Sequence, residues 1–237
     1  MKIFDLIKSQ FAGNNIQDLL HLATNAREDE NHELAIHHFK AIKKVLSETK
    51  SDETLTEMIS YLLADSLRII KKFDEAEEEI NIAYSINPEN ESTLLNYSFI
   101  KSDKDEFDKA IEFLNTAIAL NPDNSEGYYY RGVCYGTLGQ LDLALLDFKK
   151  SIEINPESEE GHYSLGYSYQ KLEDYTNAIK YYDKVIEIAP LYADAYVSRG
   201  NCRIKLGLKD LACADFHQAL DLGENRVKEN IDEYCNK

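Results

Sequence analysis

Apolar and small residues in this chain keep a helical spacing within each segment and a longer, fixed period between segments. Ala76, Ala110, Ala144, Ala178 and Ala212 stand 34 residues apart. Four residues after each comes a large apolar side chain: Ile80, Leu114, Phe148, Tyr182 and Phe216. Twelve residues before each comes a small one: Ala64, Ser98, Gly132, Gly166 and Gly200. Within a 34-residue unit, positions 4, 8 and 11 share one face of a first helix, and positions 20, 24 and 27 share one face of a second. The pattern predicts a repeated pair of helices, A and B, which small residues at 8 and 20 allow to approach closely.

The prolines carry the same period. Pro88, Pro122, Pro156 and Pro190 are the only four, each 34 residues from the next. Three follow asparagine and precede an acid: Asn87-Pro88-Glu89, Asn121-Pro122-Asp123 and Asn155-Pro156-Glu157. Proline lacks an N–H and disfavours a helical residue before it, so it ends helix B. The acid after it suits the start of the next helix A. One such pair cannot bury its apolar face alone, so the pairs are expected to stack.

A 34-residue unit with a small residue at 8, alanine at 20, a large apolar residue at 24 and proline at 32 resembles the tetratricopeptide repeat. With proline at 32 the units are 57–90, 91–124, 125–158, 159–192 and 193–226. The unit 125–158 matches well through Tyr128, Gly132, Tyr135, Gly139, Ala144, Phe148 and Pro156. Two departures are Glu224 in place of proline and Lys101 where an aromatic is usual. The resemblance implies an all-α fold, a right-handed α-solenoid of stacked antiparallel helix pairs.

A divergent unit is expected over 16–56, with Leu19, Leu22, Ala23, Ala35 and Phe39 at positions 4, 7, 8, 20 and 24. Ala35 to Ala76 is 41 residues, seven more than the period. Seven residues make about two helical turns. The next helix A is therefore expected to start earlier, with Ser51 as its N-cap. An amphipathic helix near 2–12 is expected in the N-terminal segment 1–15. Val227, Ile231 and Tyr234 predict a capping helix over 227–237, as solenoid ends require.

The chain carries 43 acidic and 26 basic residues, a formal net charge of −17. Such a surface repels phosphate backbones and anionic membranes and favours basic partners. The first twelve residues, MKIFDLIKSQFA, lack the unbroken apolar run of a signal peptide. No stretch approaches the ~18 apolar residues of a membrane span, and cytoplasmic residence is the expectation. Cys134, Cys202, Cys213 and Cys235 form no C-x-x-C pair. They are expected as free, packed thiols in a reducing compartment.

Candidate chemistry is sparse. In His32-Glu33-Leu34-Ala35-Ile36-His37-His38 the second histidine of a zinc-protease motif would stand where Ile36 is. His37 and His38 point elsewhere on the helix, so surface histidines are expected. Cys202 with His217, and Cys134 with His162, lack an acid partner or oxyanion motif. The acidic run Asp74 to Glu79 opens a helix B, where it complements the helix dipole. No cofactor, metal or catalytic residue is expected, and the chain reads as a binding protein rather than an enzyme.

In the tetratricopeptide family, positions 2, 5, 9 and 12 of helix A line the concave groove where ligands lie. That role comes from the resemblance; the spacing shows only a shared face. Carried onto this sequence, it nominates Tyr61, Phe99, Glu126, Tyr129, Glu160, Tyr163, Tyr167, Asp194 and Asn201, and Asn96 joins them at position 6, where the clamp of chaperone-binding relatives carries an asparagine. The acids at position 2 call for a protein or peptide partner bearing Lys or Arg. The alternative for the rings is packing against the neighbouring pair. The carboxylate clamp of chaperone-binding relatives is missing, because Tyr61 and Asp65 replace its first Lys and Asn, and Glu126 and Tyr130 its last Lys and Arg. The reading is a scaffold or adaptor. Its alternatives are a dedicated chaperone or assembly factor for a basic client, or a regulatory subunit of an enzyme.

Overall fold

The computed structural model of the chain describes residues 15–48 and 52–236. The helix expected near 2–12 and the cap expected at Ser51 lie outside these residues. Regular structure among the described residues is wholly helical. Two compact units part between Asn121 and Pro122. The first holds α1 (Asn15–Glu28), α2 (His32–Glu48), α3 (Glu53–Ile69), α4 (Phe73–Ile86), α5 (Glu91–Asp103) and α6 (Phe107–Leu120). The second holds α7 (Ser125–Thr137), α8 (Leu141–Ile154), α9 (Glu159–Lys171), α10 (Tyr175–Ile188), α11 (Ala193–Lys205) and α12 (Lys209–Asp221). Odd-numbered helices are the A helices and even-numbered ones the B helices.

Three-residue turns fold each pair back antiparallel. The middle residue of all six turns is left-handed, with φ 57° at Glu30, 62° at Lys71, 59° at Asp105, 75° at Gly139, 60° at Glu173 and 74° at Gly207. The next N–H then closes helix A, as from Lys72 to the Leu67 carbonyl and from Asp174 to the Tyr169 carbonyl, both at 2.9 Å. At the other junction Asn87, Asn121, Asn155 and Ala189 precede the prolines with φ between −121° and −139°. Two residues past proline, the side chains of Asn90, Asn124 and Ser158 cap the next helix, accepting from the N–H of Thr93 (3.1 Å), Gly127 (2.9 Å) and Gly161 (3.0 Å).

The seven extra residues between the first two pairs are shared. Helix α2 runs to Glu48, three residues past the periodic stop, and α3 begins at Glu53, four residues before the periodic start. Asp52 caps α3, accepting from the Leu55 N–H at 3.2 Å. Periodicity alone assigns the whole insertion to the start of α3; the structure divides it between α2 and α3.

The close approach of A and B has a definite geometry in the second unit. A Cβ added at Gly166 would lie 2.7 Å from Tyr182 Cε1, at Gly132 2.8 Å from Phe148 Cε1, and at Gly200 2.7 Å from Phe216 Cε1. Each ring at position 24 is buried. In the first unit Ala64 and Ser98 are matched by the smaller Ile80 and Leu114, although Ala23 is matched by Phe39. A further A–B contact joins positions 7 and 23: Tyr97 stacks on Phe113 at 4.0 Å, Arg131 holds Asp147 through two bonds of 2.7 Å, and Arg199 holds Asp215 at 2.6 Å.

The acidic run of α4 links helices as well as meeting the dipole. Glu75 pairs with Lys40 at 2.8 Å and Glu79 with Lys43, while Glu77 pairs with Lys101 and, at 2.6 Å, with Lys104. Burial works to raise the Glu77 pKa, but the two ammonium groups outweigh it and leave the carboxyl below its ordinary value.

Two cysteines correct the expectation of four free thiols. Cys134 and Cys202 are free and buried, and burial pushes the Cys202 thiol up to about 11. Cys213 and Cys235 form a disulfide across 22 residues. The chain after α12 turns back over that helix and brings the two together. The thiol argument for a reducing compartment therefore fails for this pair. The expected capping helix is a succession of short turns, 3-10 over Asn225–Val227, α over Lys228–Asn230 and π over Ile231–Cys235. Val227 and Ile231 nevertheless bury against Ala212, Phe216 and Ala219. Among the described residues no helix is long and apolar enough to cross a membrane.

Gly166→Ala is expected to destabilise the protein by ~1–3 kcal/mol through overpacking against Tyr182. Combined with Tyr182→Leu, it should lose less than the sum of the two single changes, read by urea unfolding. Reducing the disulfide, or Cys213→Ser, is expected to lower the stability of the last pair by about 2–3 kcal/mol. Amide exchange should rise in α12 and residues 225–235 and stay unchanged in the first unit; equal exchange in both redox forms would contradict this.

Candidate functional site

The face of the A helices turned away from their B partners has a different character in each unit. In the first, ion pairs occupy it. Arg27 reaches Asp65 at 2.5 Å, and Arg68 reaches Asp65 at 3.4 Å and Asp103 at 3.2 Å. The Arg68 guanidinium also lies 5.4 Å from the centre of the half-buried Phe99 ring. Tyr61 packs against the core of this unit, and its carbonyl accepts from Asn96 Nδ2 at 3.3 Å. Asn96 is buried, at 3% exposure. The structure brings Tyr61 and Asn96 into contact and sets Phe99 under a cation.

In the second unit the same face is acidic and aromatic. Glu126 and Glu160 are exposed, and no Lys or Arg among the described residues pairs with either. Asp194 is paired, with Arg226 Nη2 at 2.7 Å. Arg226 also grips Glu224, first through its side chain and then through its backbone N–H, and holds that carboxyl at about 2. Asn201 accepts from Asn230 Nδ2 at 3.2 Å. The C-terminal stretch thus engages both residues nominated on α11.

The tyrosines divide by exposure. Tyr167 is 46% exposed, with Lys171 Nζ 5.0 Å from its ring centre. Tyr129 is half-buried beside Tyr130 and Phe148, with ring centres 5.1 and 5.8 Å away. Tyr163 is half-buried between Tyr182 and Tyr192, both 5.4 Å away, and its hydroxyl meets Ser198 Oγ at 3.1 Å. Burial raises the Tyr163 pKa and nearby Asp194 adds to this, against the opposing Ser198 bond, so the phenol stays neutral. Of these rings Tyr163 reaches the neighbouring pair, through Ser198, while the ring contacts of Tyr129 lie within its own pair and Tyr167 is the most exposed.

A furrow between α7 and α9 gathers these groups. Its larger pocket, about 600 Å³, is lined by Val133, Gly136, Leu141, Phe148, Tyr163 and Tyr167, with Lys171 at its edge. A smaller one, about 300 Å³, is lined by Glu126, Tyr129, Tyr130, Ser158 and Glu160 among others. Lys171, Thr137 and Tyr192 were missed in the sequence. The first two occupy position 13, which continues the face of 2, 5, 9 and 12 and could have been found there. Tyr192 belongs to a loop, where periodicity gives no signal. This furrow offers shape, aromatic surface and charge for recognition. Among the described residues no group of three His, Cys, Asp or Glu side chains could hold a metal ion.

Fold and face define an α-helical repeat protein built on a 34-residue helix pair. Residues 125–158 and 159–192 match the model of the tetratricopeptide repeat family, and residues 102–139 match a further TPR repeat model. Tetratricopeptide-repeat models thus cover residues 102–192, and the helix pairs on either side keep the same architecture. No curated protein matches it in sequence. Among solved structures, MamA protein is similar with a TM-score of 0.64 and 27% identity over 77% of this chain and 97% of MamA. YrrB, a TPR protein with an unusual peptide-binding site, has a TM-score of 0.64 and 18% identity over 81% of this chain and 97% of YrrB. MamA from Desulfovibrio magneticus RS-1 has a TM-score of 0.66 and 15% identity over 73% of this chain and 97% of that one. The last two share the fold.

Proposed function

We propose that this protein is a peptide-binding scaffold or adaptor that takes a segment of a partner protein in the furrow between α7 and α9. The observation that carries the reading is the large pocket, where Tyr167 remains exposed beside Val133 on the outward face of the A helices. A tyrosine offers large contact area with a polar tip at low entropic cost. The carboxylates of Glu126 and Glu160, which no Lys or Arg among the described residues meets, favour a partner segment bearing Lys or Arg. YrrB, a TPR protein with a peptide-binding site of its own, supports the class of function by analogy.

Affinity capture with mass spectrometry identifies the partner, and titration then tests the site. Tyr167→Ala is expected to weaken partner binding ~30-fold, about 2 kcal/mol, with little change in melting temperature. Leu146→Ala, at a residue 64% exposed on helix B, is expected to leave binding unchanged. Raising salt from 50 to 500 mM should weaken binding by slowing association. Equal affinity of wild type and Tyr167→Ala for the captured partner would contradict the assignment.

A further inference from the structure

The furrow between α7 and α9 is polarised along its length. One end is the larger, apolar pocket with the Lys171 ammonium at its edge. The other is the smaller pocket, with the carboxylates of Glu126 and Glu160 beside Tyr129 and Tyr130. The separation is the same on both walls: seven residues from Glu126 to Val133 on α7, and seven from Glu160 to Tyr167 on α9. At 1.5 Å rise per residue, seven residues span about 10 Å. Lys171 repels a basic group from the apolar end, and the two carboxylates attract it to the other.

We infer that the second unit reads a two-point motif in an extended segment: a bulky apolar side chain in the larger pocket and, three residues away, a Lys or Arg between Glu126 and Glu160. In a polyproline-II conformation residues three apart lie on one face, about 9 Å from each other, which suits the separation of the pockets. The tyrosine faces beside the carboxylates add cation–π attraction for the same basic group. The inference rests on the furrow being the binding face proposed above, and it adds the chemistry and spacing of what binds there.

The test uses fluorescein-labelled ten-residue Ser/Gly peptides carrying Phe-Ser-Gly-Arg or Arg-Ser-Gly-Phe, titrated with the full chain by fluorescence polarisation. One order is expected to bind saturably. Replacing its phenylalanine by serine, replacing its arginine by glutamine, or placing the two side by side should each weaken binding tenfold or more. Glu126→Gln with Glu160→Gln should weaken the arginine peptide about tenfold and leave the glutamine peptide unchanged, while Tyr167→Ala should erase the dependence on phenylalanine. If Tyr167→Ala matters but arginine or spacing does not, the two-point motif is wrong and the furrow stands. If a peptide binds and Tyr167→Ala is silent, the furrow reading falls and takes the motif with it. If neither order binds, the motif is overturned, and the captured partner still reports on the furrow through Tyr167→Ala.

Discussion

Each pair of the second unit depends on an aromatic ring lying against a helix that has no side chain at the point of contact. Gly132, Gly166 and Gly200 leave room for Phe148, Tyr182 and Phe216, and a single added carbon would sit under 3 Å from each ring. Interiors packed to this density do not absorb an extra methyl group without displacement. The contact therefore fixes how far apart helices A and B lie and how each is rotated. Once positions 4, 8 and 11 of helix A are committed to helix B, positions 2, 5, 9 and 12 have to face away. The outward face that gathers Val133, Tyr163 and Tyr167 follows from packing on the opposite side of the same helices.

Charge separates the two units. The overall excess is strongly acidic, −17, yet the first unit resolves much of its share internally. Arg27, Asp65, Arg68 and Asp103 pair on the outward face, and Lys101 and Lys104 meet the acids of α4 behind it. In the second unit Arg131 and Arg199 are spent between A and B on Asp147 and Asp215. Arg226 covers Asp194, which leaves Glu126 and Glu160 as the acids of the furrow without a basic partner among the described residues. Carboxylates in that setting, beside rings that can accept a cation, supply the asymmetry on which the proposed recognition rests.

Much of the fold was legible because it is written five times over. The spacing of Pro88, Pro122, Pro156 and Pro190 sets the period, and the alternation of small and large residues at 8, 20 and 24 sets the two packed faces. The caps at Asn90, Asn124 and Ser158 and the Arg–Asp pairs at positions 7 and 23 were written too, but as polar residues whose partner lies on another turn or another helix. Arg131 and Arg199 stand 68 residues apart, as do Asp147 and Asp215, a doubled period that a search for apolar repetition passes over. The Cys213–Cys235 bridge was not legible, since it forms only because the chain turns back over α12. At the site, the acids of position 2 could be named from the period. How far each tyrosine is covered could not, because Tyr192 and Ser198 flank Tyr163 only once the pairs are stacked.

The central claim is that a partner segment lies in the furrow between α7 and α9. Nuclear magnetic resonance on the full chain, with the identified partner segment titrated in, tests it most directly. The account predicts that the largest shift changes fall on Val133, Gly136, Tyr163, Tyr167 and Lys171, with smaller ones near Glu126 and Glu160. Shift changes concentrated instead around the exposed Leu143 and Leu146 of α8, with the tyrosine ring signals unmoved, would contradict it.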